Sequence, residues 1–153
     1  MTILIKNGRV INPSENLDKV MDIFVEDGII KEKAESIEKQ ADTVIDAAGC
    51  YVMPGLIDLH VHFRDPGLTY KEDIETGSKA AAKGGFTTVC CMPNTKPVVD
   101  NVETVKYIIE KGEKTGLTNV LPVGAVTKNM AGVEITDVEE LKKAGICAIS
   151  EDG

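Results

Sequence analysis

The sequence of 153 residues contains no apolar run of about 18 residues, the length that a transmembrane helix needs. The apolar stretch at its N-terminus is interrupted at Lys6-Asn7-Gly8, too early for a secretory signal peptide. Gly-x-Gly-x-x-Gly and Walker motifs are also absent, which disfavours a nucleotide-binding fold. A net charge of −8 argues against nucleic acids and anionic membranes as partners. We therefore expect neither a nucleic acid nor a membrane among the partners.

The four cysteines show no Cys-x-x-Cys spacing of the kind that marks zinc or redox motifs. They are Cys50, Cys90, Cys91 and Cys147, and most of them fall in apolar, strand-like stretches. This placement favours buried free thiols, which persist in a reducing compartment. We therefore expect a cytoplasmic protein.

Histidine is scarce, since His60 and His62 are the two histidines of the chain. Side chains at positions i and i+2 of a β-strand point to the same face. The apolar Leu59 and Val61 alternate with them, so we predict a strand whose polar face lines a cavity. Two neutral imidazoles beside carboxylates are typical of a first-row metal site, most often zinc. Asp58, on the same face, either orients an imidazole or is a polar residue beneath the site.

Arginine is equally rare, because only Arg9 and Arg64 are arginines among 17 basic residues. Arg64 follows the histidine pair directly. A planar guanidinium can hold a carboxylate in a bidentate fork, which a lysine cannot do. The position of Arg64 therefore indicates that a carboxylate binds near the predicted metal site.

Residues 1–54 consist of short strand patterns broken by turns, and they predict a small antiparallel β module. Within this module, Asn7-Gly8 indicates a tight hairpin and residues 34–40 look helical. Residues 55–153 change to a fourfold alternation of strands and helices. Capping sequences predict helix starts at residues 69–72, 100–103 and 136–139.

Continuous apolar strands that alternate with capped helices indicate an α/β fold with a parallel sheet covered by helices. An open doubly wound sheet and a (β/α)8 barrel share this rhythm. Asn94 and Asp152 follow predicted strands, as the histidine pair does. Both architectures place their active sites at these strand ends.

Three segments of the chain together resemble the dihydroorotases of the amidohydrolase superfamily. They are Pro-Gly-Leu-Ile-Asp-Leu-His-Val-His-Phe-Arg-Asp-Pro-Gly at 54–67, Met-Pro-Asn-Thr-Lys-Pro at 92–97 and Ser-Glu-Asp-Gly at 150–153. The Pro-Gly-x-x-Asp-x-His-x-His pattern marks the superfamily. The Phe-Arg-Asp-Pro-Gly extension at 63–67 and the Met-Pro-Asn-Thr segment at 92–95 narrow the resemblance to dihydroorotase, closest to the longer, bacterial type I enzymes. The resemblance extends over the whole chain.

The resemblance implies that residues 55–153 are the first four β/α units of a metal-dependent (β/α)8 (TIM) barrel, and that residues 1–54 are part of a composite β-sandwich. It implies a reversible ring closure of N-carbamoyl-L-aspartate to L-dihydroorotate in pyrimidine biosynthesis, with one or two zinc ions. His60, His62 and Asp152 resemble the metal ligands, and Arg64 and Asn94 resemble the residues that bind the substrate carboxylate.

The same resemblance implies elements beyond Gly153, because a complete barrel takes about 250 residues. Two further histidine ligands and the aspartate that acts as general acid and base are expected there, so we assign no catalytic residue within this chain. We expect these 153 residues to be inactive alone. A homodimer or a carbamoyltransferase is a further expected partner.

Two alternatives stay open. A hydantoinase or allantoinase would share the His-x-His strand, although Arg64 and Asp152 argue against these cyclic amidases. A non-catalytic dihydroorotase-like subunit that serves assembly is the second alternative. Retention of His60, His62 and Asp152 together argues against that reading.

Overall fold

The computed structural model describes residues 1–152, and the chain divides into two compact units, residues 1–54 and residues 55–153. The longest helix among the described residues has 14 residues. None of the helices in this part of the chain is both long and apolar enough to cross a membrane.

The first unit is a five-stranded sheet in the order β3-β2-β1-β4, with β5 also paired to β1. Its strands are β1 (Thr2–Asn12), β2 (Leu17–Glu26), β3 (Ile29–Ala34), β4 (Thr43–Asp46) and β5 (Tyr51–Val52). The first three strands pair antiparallel, whereas β4 and β5 run parallel to β1. The prediction of a purely antiparallel module was therefore wrong. The chain from residue 35 to residue 42 crosses to the free edge of β1 instead of turning back beside β3.

The Asn7-Gly8 pair is a β-bulge inside β1 rather than a hairpin turn. Asn7 has φ = 62°, and its backbone N–H donates to the buried carboxylate of Asp22 at 2.9 Å. A Cβ on Gly8 would lie 2.5 Å from Val52 Cγ2, so only glycine fits there. Asn7 adopts the left-handed backbone that asparagine tolerates, but β1 continues through it because Asp22 of β2 accepts its N–H.

Residues 34–40 form no helix, which corrects the second local expectation in this unit. Ile37 packs with Leu4 and Phe24 in an apolar cluster. Its backbone N–H donates to Asp22 at 3.0 Å, a bond that replaces a helical one. Burial of Ile37 therefore overrides the local helix preference of this segment.

The second unit is a four-stranded parallel sheet in the order β6-β7-β8-β9. Its elements are β6 (Leu56–Val61), α1 (Ile74–Lys83), β7 (Phe86–Cys91), α2 (Val102–Thr115), β8 (Asn119–Ala125), α3 (Val138–Ala144) and β9 (Ala148–Ser150). This order confirms the α/β alternation and the parallel sheet predicted for this region.

Helix α2 begins at its predicted cap, where the Asn101 side chain accepts the Thr104 N–H, and it ends at the left-handed Gly116. Helix α1 begins later than predicted. Asp73, rather than Thr69, is its N-cap, and the carboxylate accepts the Thr76 N–H at 2.8 Å. Asp137 caps α3 in the same way. In both helices an aspartate downstream of the predicted threonine thus takes the cap position.

Two apolar clusters cover the faces of the parallel sheet. Along β7, Val89 and Cys91 pack with residues of all three helices, whereas Cys90 joins Met92 and Val123 on the other side. This alternation follows the two-residue period of a strand. On β6, Leu59 is 72% exposed, so the predicted apolar face of that strand is only partly covered in the described residues.

Candidate metal centre

The carboxyl ends of two parallel strands, β6 and β9, bring the predicted ligands together. His60 lies in β6 and His62 is the first residue after that strand. Asp152 is the second residue after β9. Nε2 of His60 lies 3.1 Å from Oδ1 of Asp152, and Nε2 of His62 lies 3.5 Å from Oδ2. These three side chains form a group able to bind a metal ion.

The distances in this group suit a tetrahedral ion. The two Nε2 atoms of His60 and His62 lie 3.3 Å apart, with the rings at 68° to each other. Ligand atoms held about 2.0–2.2 Å from zinc in a tetrahedron are roughly 3.3–3.6 Å apart. Nitrogen and carboxylate donors are a set that zinc accepts. The donor set therefore fits zinc, and in a tetrahedral arrangement it leaves one coordination position open.

Asn94, in the segment after β7, contacts both His62 and Asp152. The Asn94 amide oxygen lies 3.0 Å from Nδ1 of His62, and its amide nitrogen donates to Oδ2 of Asp152 at 2.7 Å. When Nδ1 of His62 donates to this oxygen, the lone pair of Nε2 faces Asp152 and His60. Asn94 thereby orients two of the three candidate ligands.

Arg64 reaches the same asparagine from the segment after β6. Its Nη1 donates to Oδ1 of Asn94 at 3.4 Å. The structure therefore places both predicted substrate residues beside the ligand group. Asp58 does not contact an imidazole, since Oδ1 accepts the backbone N–H of His60 at 3.0 Å. It fixes the main chain beneath His60 rather than the ring.

The four cysteines differ in their exposure to solvent. Cys90 and Cys91 are buried, but Cys50 and Cys147 are exposed, which corrects the expectation that the thiols are buried. Burial raises the pKa of the Cys91 thiol far above its usual range. Burial and then a hydrogen bond with Cys90 raise the pKa of Cys147 to about 11. The thiols of Cys91 and Cys147 are therefore less acidic than an ordinary cysteine thiol, which disfavours the thiolate form that binds metals.

No role was predicted from the sequence for three residues that lie near Arg64. Asp65 is buried, and its carboxylate accepts hydrogen bonds from Tyr107 and Lys111 of α2. The signal in the sequence was the spacing of Tyr107 and Lys111, which are i and i+4 on one helix face. This spacing does not indicate that both side chains donate to the carboxylate of Asp65.

The chain is similar in sequence to a known protein family. The profile of the dihydro-orotase-like family matches residues 49–153. Curated dihydroorotases from Pelobacter propionicus and Geobacter sulfurreducens are 52% and 55% identical over 154 aligned positions. Each alignment covers 100% of this chain and 36% of the relative. The chain thus spans about a third of the length of the curated relatives it matches.

Solved structures of hydantoinases are also similar. The L-hydantoinase (dihydropyrimidinase) from Arthrobacter aurescens matches with a TM-score of 0.78 and 27% identity, over 96% of this chain and 32% of that one. The D-hydantoinase from a Thermus species matches with a TM-score of 0.66 and 36% identity, over 82% of this chain and 28% of that one.

Proposed function

Since this chain belongs to the dihydroorotase-like family, we propose that the protein carrying it interconverts N-carbamoyl-L-aspartate and L-dihydroorotate with the help of zinc. One observation carries the proposal beyond the family. Asn94 hydrogen-bonds to Arg64 on one side and to His62 and Asp152 on the other. The residue that we propose to bind a carboxylate and the candidate metal-binding group are therefore connected through one side chain.

His60, His62 and Asp152 would hold the zinc. When bound, zinc lowers the pKa of water toward about 7 and polarises a carbonyl group, which is the chemistry that hydrolysis of a cyclic amide needs. Arg64 would bind the substrate carboxylate through paired N–H groups. This contact would orient the ring so that its amide carbonyl faces the metal centre.

The wider setting is part of the same proposal. We assign β6 to β9 to the first four strands of a (β/α)8 barrel, and residues 1–54 to a composite β-sandwich. The reaction belongs to pyrimidine biosynthesis, a cytoplasmic process. A homodimer or a complex with a carbamoyltransferase would be its assembly. The parallel order of β6 to β9 supports the barrel assignment.

A hydantoinase-like cyclic amidase is the second candidate, and the solved hydantoinases with TM-scores of 0.78 and 0.66 favour it. The two activities differ in the substrate carboxylate, which dihydroorotate carries and an unsubstituted hydantoin lacks. Arg64 beside the metal group supports the first candidate. An arginine there would have no anionic partner on an unsubstituted hydantoin.

The test measures zinc content and turnover of both substrates in the complete protein. We expect hydrolysis of dihydroorotate to exceed that of hydantoin, and His60→Ala to lose both zinc and activity. Glu75→Gln, on the exposed side of α1, is the control that should keep both. Preferred turnover of hydantoin would support the second candidate. Unchanged zinc in His60→Ala would refute the metal assignment, and a zinc protein without turnover would favour a non-catalytic subunit.

A further inference from the structure

The buried carboxylate of Asp65 lies next in sequence to Arg64. Its side chain is 0% exposed. Three donors surround it: the Tyr107 hydroxyl at 2.9 Å, the Lys111 ammonium at 2.5 Å and the Ile74 backbone N–H at 3.3 Å. The hydrogen bond to Asp65 raises the pKa of Lys111, so the ammonium stays charged. The carboxylate is thus tied both to the start of α1 and to α2.

Stability alone does not call for such an arrangement. Burying an ion pair costs desolvation energy, and a well-packed apolar group of similar size is often as stable. A buried pair does fix direction, because each hydrogen bond restricts where the carboxylate can lie. The hydrogen bonds of Asp65 therefore fix the chain at the position next to Arg64.

Arg64 has a backbone that needs such support. Its φ of 59° lies in the left-handed region, which is unfavourable for a residue with a side chain. Its two neighbours in sequence are both held. Phe63 is buried against Gly77, where an added Cβ would lie 2.4 Å from the ring, and Asp65 is bound by the three donors. The anchored neighbours keep the Arg64 backbone in this conformation.

The same segment also touches the segment that carries Asn94. The Lys96 N–H donates to the Pro66 carbonyl at 3.0 Å. A Cβ on Gly67 would lie only 1.8 Å from the Lys96 carbonyl oxygen, so the two main chains are in close contact. A shift of residues 64–67 would therefore move Arg64 relative to Asn94.

We propose that Asp65 is a positioning residue, held by Tyr107 and Lys111, that fixes the Arg64 guanidinium where it binds the substrate carboxylate. This inference rests on the proposed function, because it assumes that Arg64 binds substrate. It assigns to α2, which supplies none of the candidate metal ligands, a part in substrate affinity.

The kinetic test uses the complete, zinc-loaded protein. In Asp65→Asn we expect the KM for dihydroorotate to rise about 10- to 100-fold, as for a misplaced binding group, with the zinc content unchanged. Tyr107→Phe removes one donor and should raise KM in the same direction by less. Asp22→Asn changes a buried carboxylate of the other unit and should leave KM unchanged.

A double-variant cycle separates positioning from a general structural role. In an Arg64→Ala background, Asp65→Asn should change KM less than about twofold, because the group it positions is gone. Equal effects in both backgrounds would overturn the proposal. Loss of zinc in Asp65→Asn would overturn it as well, since Asp65 would then act on the metal ligands.

Hydrogen exchange gives a readout that needs no substrate. The Leu68 amide, which donates to the Arg64 carbonyl at 2.9 Å, should exchange about tenfold faster in Asp65→Asn and faster in Tyr107→Phe, but at the wild-type rate in Asp22→Asn. Unchanged exchange in the Asp65 variant would refute the anchor. Absence of turnover by the wild-type protein would overturn the proposed function alone, and the exchange data would then decide whether Asp65 holds this segment.

Discussion

Replacing Asn94 by leucine tests whether this side chain orients the metal ligands. Leucine is close to asparagine in size but can neither accept from His62 nor donate to Asp152. The substitution therefore removes the 3.0 Å contact to Nδ1 of His62 and the 2.7 Å hydrogen bond to Oδ2 of Asp152. His62 could then turn or adopt the tautomer whose Nε2 carries the proton and cannot bind a metal.

The size of the effect follows from the two bonds. A neutral hydrogen bond contributes about 0.5–1.5 kcal/mol, and one to a carboxylate about 1.5–3 kcal/mol. The Asp152 side chain is 19% exposed and that of His62 is 29% exposed, so water replaces part of what is lost. We therefore expect a loss of about 1.4–2.7 kcal/mol, which is a 10- to 100-fold weaker affinity for zinc.

The assay is a competition between the complete protein and a zinc chelator of known affinity. Asn119→Leu is the matched control, because Asn119 lies at the start of β8, at the opposite end from the candidate ligands, and donates to Thr88. That variant should bind zinc as the wild type does. A zinc affinity of Asn94→Leu equal to that of Asn119→Leu would refute the assignment of Asn94 as a ligand-orienting residue.

Three further predictions concern substrate binding and stability. Arg64→Lys should weaken N-carbamoyl-L-aspartate binding by about 1.5–3 kcal/mol with zinc content intact, and wild-type kinetics would show that Arg64 does not bind substrate. Asp22→Asn should lower the free energy of unfolding at pH 7 by about 1–3 kcal/mol in urea titrations, because the buried N–H of Ile37 and the partly buried N–H of Asn7 both donate to the carboxylate. Burial raises the pKa of Asp22, but these N–H groups and Lys6 outweigh it and lower the pKa in the folded state. This contribution is therefore complete above the unfolded pKa of about 3.9 and is lost as the pH falls through the folded value, so the two proteins should converge in acid. Gly67→Ala should destabilise the protein by about 1–3 kcal/mol more than Gly85→Ala, which shares a positive φ but has open space around the added Cβ; equal losses would show that the Lys96 contact is unimportant.

The arrangement of the strands was predictable because it depends on short patterns that act locally. Asn101 and Gly116 mark the two ends of α2 in the sequence, and the structure has them there. Parallel strands also place all their carboxyl ends on one edge of the sheet, so residues that follow different strands meet. For this reason His60, His62 and Asp152, far apart in the chain, could be assigned to one region from the sequence.

The contacts made by side chains across elements were not predictable in the same way. Asn94 was expected to bind substrate, but its hydrogen bonds to ligands depend on rotamers at three strand ends. Asn7 was expected to turn the chain, and its left-handed backbone did occur. The chain nevertheless forms a bulge there and not a hairpin turn, because the carboxylate of Asp22 accepts the Asn7 N–H. In both cases a long-range polar partner decided the result, and sequence patterns of period two or 3.6 do not report such partners.

The hydrogen-bonding capacity of Asn94 connects the candidate metal centre with the substrate binding that we propose for Arg64. Its amide oxygen has two lone pairs, and Nδ1 of His62 and Nη1 of Arg64 use them. Its amide nitrogen has two N–H groups, and one of them donates to Asp152. A substrate carboxylate can therefore meet only the second N–H of Asn94, together with the guanidinium of Arg64. A neutral ring without a carboxylate would leave both of these donors without an acceptor, and an unpaired polar group in a partly desolvated site lowers affinity. Under the proposed function, the side chain that contacts His62 and Asp152 would thus also favour an anionic ring over a neutral one.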